Sequence, residues 1–290
     1  MDEIVNRSVR VDARSKENMF GHTQRFGDFA RSMRVLSELK REVMKEIKGE
    51  KDEQTEKLLD LIYRQDGKVR ITGEAGKGYL GNFAEFMKGR RGEKSVLEVG
   101  CSKPDPEAIG GWKSYTGVDL YEDEFFDVEK RLGVELIGTE ATYLPFRDRS
   151  FDYAIAYGVV PMLGVNAYFG IKELGRVSRE GIAFTVGHED SIEAWAAKRK
   201  EDREILGYPP REDYVIEFDY CKGVFPGRPI GPLSIESAFI YFNEKRMTEF
   251  LVGLGFAEVN IFIEPYKVIE EGRGERIVKG SMEIIAIRRT

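Results

Sequence analysis

The sequence predicts an α/β fold, a doubly wound sheet of mainly parallel strands, and three observations carry the prediction. From about residue 95, short apolar runs alternate with polar, helix-forming segments. That is the rhythm of parallel strands covered on both faces by helices. The first run stops at a glycine, Gly100, and the second ends on an acid, Asp119, 19 residues on. In such sheets ligands bind beyond the carboxyl ends of the strands, where these two residues fall.

The elements follow in order. Residues 1–27 are polar and without a clear period. From Asp28 to about Lys48, Phe29, Met33, Leu36, Leu39, Val43 and Ile47 recur at three- and four-residue steps, an amphipathic helix that Gly49 would stop. Asp52 to Arg64 fits a second helix, and Tyr79 to Lys88 a short third one. Residues 1–92 are therefore expected to form a helical cap, and 93–290 the main domain. Its strands are expected at Ser95–Val99, Ser114–Leu120, Val134–Ile137, Phe151–Tyr157 and Ile182–Val186, with final strands at Ala257–Ile263 and Met282–Ile287. Asn243 to Leu254 reads as a helix closed by Gly255. Between the fifth strand and residue 240 lie one helix (Ser191–Leu206) and an irregular stretch with Pro209, Pro210, Pro226, Pro229 and Pro232. This insertion, about 190–240, has the character of a lid.

The charge distribution narrows the partners. The chain carries a net charge of −6. Residues 1–95 hold 21 Lys/Arg against 17 Asp/Glu, a balance of +4, and the remainder 24 against 34, a balance of −10. An acidic main domain argues against a large nucleic-acid footprint. Lys40, Arg41, Lys45 and Lys48 alternate with Glu38, Glu42 and Glu46, as on a solvated helix face. The two cysteines and two histidines form no metal-site spacing, so no metal is expected. Cys101 reads as a small buried residue and a free thiol. The N-terminus lacks the order of a signal peptide, and the longest mostly apolar stretch, Tyr153 to Val165, is too short to span a bilayer. A soluble, cytoplasmic protein is expected. Gln occurs only three times while Lys, Arg and Glu are abundant, a bias of heat-adapted proteins.

Two glycine-rich segments invite a phosphate-binding reading, and neither has the spacing. Gly73-Glu-Ala-Gly-Lys-Gly78 lacks G-x-x-x-x-G-K-[ST], and no strong strand is expected before it, so it reads as a hinge. Gly100-Cys-Ser-Lys-Pro-Asp105 keeps only the first glycine of G-x-G-x-x-G, which disfavours NAD. Asp119 at the second strand tip still suits both hydroxyls of a ribose.

The segment Glu140-Ala-Thr-Tyr-Leu-Pro-Phe-Arg-Asp-Arg-Ser-Phe-Asp152 closely resembles the class I S-adenosylmethionine-dependent methyltransferases, in particular their small-molecule type. The resemblance runs from about Ser95 to Gly187, and loosely through Leu251–Phe256 to the end. It implies a seven-stranded sheet whose last two strands form an antiparallel pair, with S-adenosylmethionine as cofactor. It implies that Glu98, Gly100 and Ser102 hold the amino-acid part of that cofactor. Asp119 would hold the ribose with Leu120 beside the adenine, and Glu140 the adenine amino group with the Ala141 amide nearby. Tyr157 and Gly158 would face the sulfonium. Ser102 and Pro104 stand where the family turn carries more glycine, and Glu140 where it often has Asp.

Catalysis would be direct displacement at the methyl carbon. Alignment and exclusion of water are then the protein's contribution. An acceptor that must lose a proton needs a base, and His188 after the fifth strand, with Tyr157 after the fourth, are the candidates. A small-molecule acceptor is expected first. Methylation of RNA or protein, and a non-catalytic S-adenosylmethionine-binding protein, are the alternatives. Phe20, Phe26, Phe29 and the aromatics of the Pro-rich stretch are candidate covers for the site.

Overall fold

A computed structural model describes residues 9–10, 69–73, 81–101, 111–119, 135–205, 213–217, 221–226 and 239–289. In chain order the elements are β1 (Val9–Arg10), β2 (Val69–Gly73), α1 (Gly81–Phe86), β3 (Ser95–Val99), β4 (Ser114–Asp119), β5 (Glu135–Gly138) and β6 (Phe151–Ala156). Then come α2 (Ala167–Val177), β7 (Ser178–His188), α3 (Ile192–Ile205), β8 (Asp213–Glu217), β9 (Cys221–Pro226), β10 (Phe239–Phe242), α4 (Glu244–Gly253), β11 (Glu258–Glu270) and β12 (Gly274–Ile287).

The central sheet runs β5-β4-β3-β6-β7-β12-β11. β3 to β7 are parallel, β12 opposes β7, and β11 opposes β12, so within these seven strands β12 alone runs backwards. This is the doubly wound, seven-stranded sheet expected above. Strands buried on both faces must be apolar on both, and β3 and β6 are buried at every position after the first. Alternation along β3 divides its side chains: Leu97 and Val99 pack with α2 and α4 through Ile171, Leu174, Met247 and Leu251. Val96 packs on the other face with Phe83 and Met87.

Within residues 81–92, Phe83 and Met87 pack against Val96 and Tyr153 of the sheet. The amino end of α1 is secured from far away. Its Asn82 and Phe83 amides donate to the Glu283 carboxylate of β12 at 3.2 and 2.7 Å, and Asn82 Nδ2 donates to it at 2.8 Å. A carboxylate meets both the unsatisfied N–H groups and the positive end of the helix dipole. The helices expected at 28–48 and 52–64 lie outside the described residues. So do residues 74–78 of the hinge and the aromatics Phe20, Phe26 and Phe29.

Several strands depart from expectation. β2 does precede the glycine-rich hinge: it is an edge strand paired with Tyr266–Glu270 of β11. Pairing with a distant strand, not a strong local apolar run, makes it a strand. The 190–240 insertion is not irregular throughout. β8 and β9 form an antiparallel hairpin, β9 pairs with β10, and β1 adds to β8. The prolines flank these short strands, and the one that falls inside, Pro226, is the last residue of β9.

Two β arms thus rise from the carboxyl edge. One is the far end of the β11–β12 hairpin with β2. The other is β10-β9-β8, and register fixes its place. Gly187 of β7 pairs with both Ser281 of β12 and Tyr241 of β10, so these strands flank β7 on opposite sides. β6 also opposes β12 across β7, which sets β10 directly above the end of β6. No helix among the described residues is long and apolar enough to cross a membrane.

Candidate functional site

The strand order reverses between β3 and β6, and there the carboxyl edge opens a crevice. Gly100 turns the chain at this point with φ +75°. Its amide donates to Val118 O at 2.7 Å, and a Cβ on it would sit 2.0 Å from Val159 Cγ2, just past β6. Only glycine fits a turn pressed this closely against the neighbouring loop. Cys101 follows it, buried, as a free thiol. Burial, then the Glu98 and Asp119 charges, push its thiol far up, so it is no nucleophile.

Glu98 sits one step below the turn, 2% exposed, where it accepts the Tyr115 hydroxyl at 2.5 Å. Burial and this carboxylate drive the Tyr115 phenol well above its ordinary range. Asp119 is half-buried at the tip of β4, level with Gly138 of β5. Its carbonyl accepts Thr139 N at 2.8 Å, which ties the ends of the two strands together. Glu140 lies two residues past the end of β5, half-buried, with Oε1 accepting Thr142 Oγ1 at 2.9 Å. Ala141 packs on the core beneath it. Gly100, Asp119 and Glu140 thus cap three adjacent strands. Ser102 and Leu120 lie outside the described residues.

The segment after Glu140 is held by a pair on α2 that sequence reasoning missed. Arg176 donates to the carbonyls of Phe146 and Leu144 at 2.7 and 2.9 Å and to Asp148 at 2.9 Å. Glu173 accepts the Leu144 amide at 2.9 Å and Arg176 Nε at 2.7 Å. Their i, i+3 spacing in Glu173-Leu-Gly-Arg176 was the available signal. Asp152 clamps β6 to β3: it accepts Ser95 N and Oγ at 2.8 and 2.9 Å and Arg179 at 2.7 Å. Burial would raise its pKa, but these partners outweigh burial and lower it.

Tyr157 leaves the end of β6 43% exposed, beside Gly158, whose φ is +68° and whose amide donates to Thr185 Oγ1 at 2.8 Å. His188, at the end of β7, is 2% exposed. Its Nδ1 accepts the Asp190 amide at 3.1 Å, and its Nε2 lies 3.0 Å from Glu244 Oε2. That pattern sets the Nε2–H tautomer and engages both nitrogens. Burial would raise the Glu244 pKa, yet hydrogen bonds from Lys279, at 2.6 Å, and from His188 bring it down to about 2. No three described His, Cys, Asp or Glu residues gather as a metal would need.

No family model matches the chain, and no curated protein does. Among solved structures it is similar to a SAM-dependent methyltransferase from Methanosarcina mazei, at 19% identity over 70% of this chain and 96% of that one, with a TM-score of 0.46. It is similar to the magnesium protoporphyrin IX methyltransferase of Synechocystis with bound S-adenosylhomocysteine, at 13% identity over 72% of this chain and 82% of that one, with a TM-score of 0.45. It is also similar to the 1,6-didemethyltoxoflavin-N1-methyltransferase of Burkholderia thailandensis, at 14% identity over 75% of this chain and 80% of that one, with a TM-score of 0.47.

Proposed function

We propose that this chain binds S-adenosylmethionine at its carboxyl edge and transfers the methyl group to a small molecule. The observation that carries the reading is the convergence of Gly100, Asp119 and Glu140 on three adjacent strand ends beside the switch point. A turn stripped of its Cβ and two carboxylates one strand apart fit a ribose-bearing ligand with an exocyclic amine. Asp119 accepts the ribose hydroxyls and Glu140 the adenine amino group, beside the Ala141 amide and Leu120. The Gly100–Ser102 turn receives the amino-acid end, with Glu98 supporting it from below through Tyr115. When bound, S-adenosylmethionine would supply a methyl group on a positively charged sulfur, which departs as a neutral thioether.

The chain itself contributes alignment and dryness. Tyr157, at the end of β6 and beneath the β10 arm, offers a phenol to orient the acceptor or to relay its proton. His188 serves in this scheme as a positioning residue. Its two ring nitrogens are engaged by the Asp190 amide and the Glu244 carboxylate rather than turned to the crevice. The acidic balance of the main domain favours a small acceptor over RNA.

Calorimetry with the full chain tests the reading. S-adenosylmethionine or S-adenosylhomocysteine should bind with about −7 to −8 kcal/mol, micromolar-class affinity. Asp119→Ala should weaken that by about 1.5–3 kcal/mol, the loss of a charged hydrogen-bond partner. Binding of NAD in place of either compound would overturn the proposal. Labelled donor incubated with fractionated extract then separates a metabolite acceptor from RNA or protein, and from a binder that transfers nothing.

A further inference from the structure

The β11–β12 hairpin carries a bulge at the level of the carboxyl edge. Glu264 pairs with Ser281 and Pro265 with Lys279, which leaves Gly280 as the extra residue. A bulge re-aims the side chains around it. Here it seats Tyr266, whose ring lies on the bare backbone of Gly280, where a Cβ would run into it. The arrangement repeats one rung away. Ser281 pairs with Gly187 of β7, and a Cβ on Gly187 would sit 2.9 Å from the Tyr241 ring of β10. Two tyrosines from opposite arms are thus laid against glycines of neighbouring strands.

A third tyrosine joins them. Burial raises the Tyr266 phenol above its ordinary range. Against the Ser281 hydrogen bond, Glu264 and the phenols of Tyr157 and Tyr241 raise it further, so both phenols stand near enough to act on it. Tyr157 leaves β6 half-exposed, and beside it a Cβ on Gly158 would meet no described atom within 4 Å. An exposed ring next to an open, bare peptide makes a flat slot. Helix α3 bridges the two arms beyond the end of β7. Its Trp195 meets the Tyr266 ring edge to face at 6.3 Å, and its Arg199 lies over Phe239 of β10 at 5.0 Å. The face that α3 buries holds Ala194, Lys198 and Glu201, so it lacks the aliphatic stripe of a helix seated on a core.

We propose that the methyl acceptor is a flat ring system carrying a hydroxyl or carbonyl group. The ring stacks on Tyr157 over Gly158, its polar edge meets the Tyr241 and Tyr266 hydroxyls, and Trp195 closes the far side. Glycine-backed tyrosines hold their rings in place before the ligand arrives, which lowers the cost of binding. A saturated ring of the same skeleton is puckered and forfeits the stack. The role of acceptor rests on the donor reading, whereas binding of the ring does not.

Calorimetry on the full chain with β-naphthol and its saturated counterpart β-decalol tests the proposal. β-Naphthol should bind about tenfold more tightly, the worth of aromatic contacts beyond buried area. Tyr157→Leu, at a half-exposed position, should remove that preference. Tyr241→Phe with Tyr266→Phe keeps both rings on their glycines and deletes only the hydroxyls. This pair should weaken β-naphthol binding about fivefold or more, at the strength of ordinary hydrogen bonds. Equal binding of the two compounds, binding of neither, or an unchanged β-naphthol affinity in either variant overturns the proposal. S-adenosylhomocysteine titrated into the same sample keeps the two readings apart. β-Naphthol binding without nucleoside binding overturns the donor reading, and the acceptor role with it, while the slot stands. Nucleoside binding with β-naphthol refused leaves the donor reading and overturns the slot.

Discussion

At Gly100 two constraints fall on one residue. An L side chain at φ +75° is strained, and the same Cβ would meet Val159. Gly100→Ala should therefore destabilise the fold by about 2 kcal/mol or more, combining left-handed strain with overpacking. Urea unfolding measures this, and a change within about 0.5 kcal/mol, the range of an ordinary surface substitution, would mean that the turn yields. Gly100 and Asp119 were legible in the sequence because each closes an apolar run, and a run that ends at a ligand edge announces its last residue. Glu98 illustrates the limit. A carboxylate in an apolar strand reads as a ligand group, but its partner, the Tyr115 hydroxyl, comes from the neighbouring strand, and no local pattern predicts that pairing. The same holds at His188, whose partner Glu244 lies 56 residues away.

Among the elements, α2 governs the candidate adenine side. Arg176 holds the Leu144–Asp148 loop through two backbone carbonyls, a task its planar fork performs and a lysine cannot. Arg176→Lys should weaken S-adenosylhomocysteine binding several-fold while Asp119 and Glu140 stay in place. If affinity is unchanged, the loop needs no such anchor. Glu244 links three elements, joining β7 through His188, β12 through Lys279 and the first turn of its own helix α4. Its folded pKa of about 2 lies below the ordinary 4.5. A depressed carboxylate pKa stabilises the fold above the unfolded value, and that contribution is lost as pH falls through the folded one. Glu244→Gln should then lower the melting temperature at pH 7, and the gap from the parent should close between pH about 4.5 and about 2. A gap of constant size down to pH about 2 would show that the charge contributes nothing. Helix α4 was readable to within a residue or so, because its apolar period and its Asn243 cap are both local. Strands β8, β9 and β10 were not, since short strands among prolines take their identity from one another.

The whole molecule places both β arms at the one edge where the candidate site opens. The Arg246 guanidinium of α4 pairs with Glu217 of β8, which fastens one arm to the body. If these arms close on the site, the amides of β8 and β9 should gain protection from hydrogen exchange when S-adenosylhomocysteine binds, as low-stability functional segments do. Equal protection with and without it would make the arms scaffold. The parallel core was legible because inner strands such as β3 and β6 are apolar on both faces, whereas β7 ran longer than expected at both ends and β11 and β12 at their hairpin ends. Those extensions are half-solvated, and their polar residues hid them.

The Glu283 carboxylate on the α1 amides has a consequence in time. A six-residue helix is too short to persist alone in water, so α1 awaits its cap. That cap is synthesised 201 residues after Asn82, and β2 likewise waits for Tyr266–Glu270. As the chain leaves the ribosome, the parallel strands β3 to β7 can assemble and Phe83 can pack on Val96 and Tyr153, while β2 still lacks its partner strand and the amino end of α1 its carboxylate cap. They settle only when the last hairpin emerges. A nascent chain arrested before residue 258 should therefore leave β2 and the first turn of α1 more open to protease, and release of the complete chain should close them.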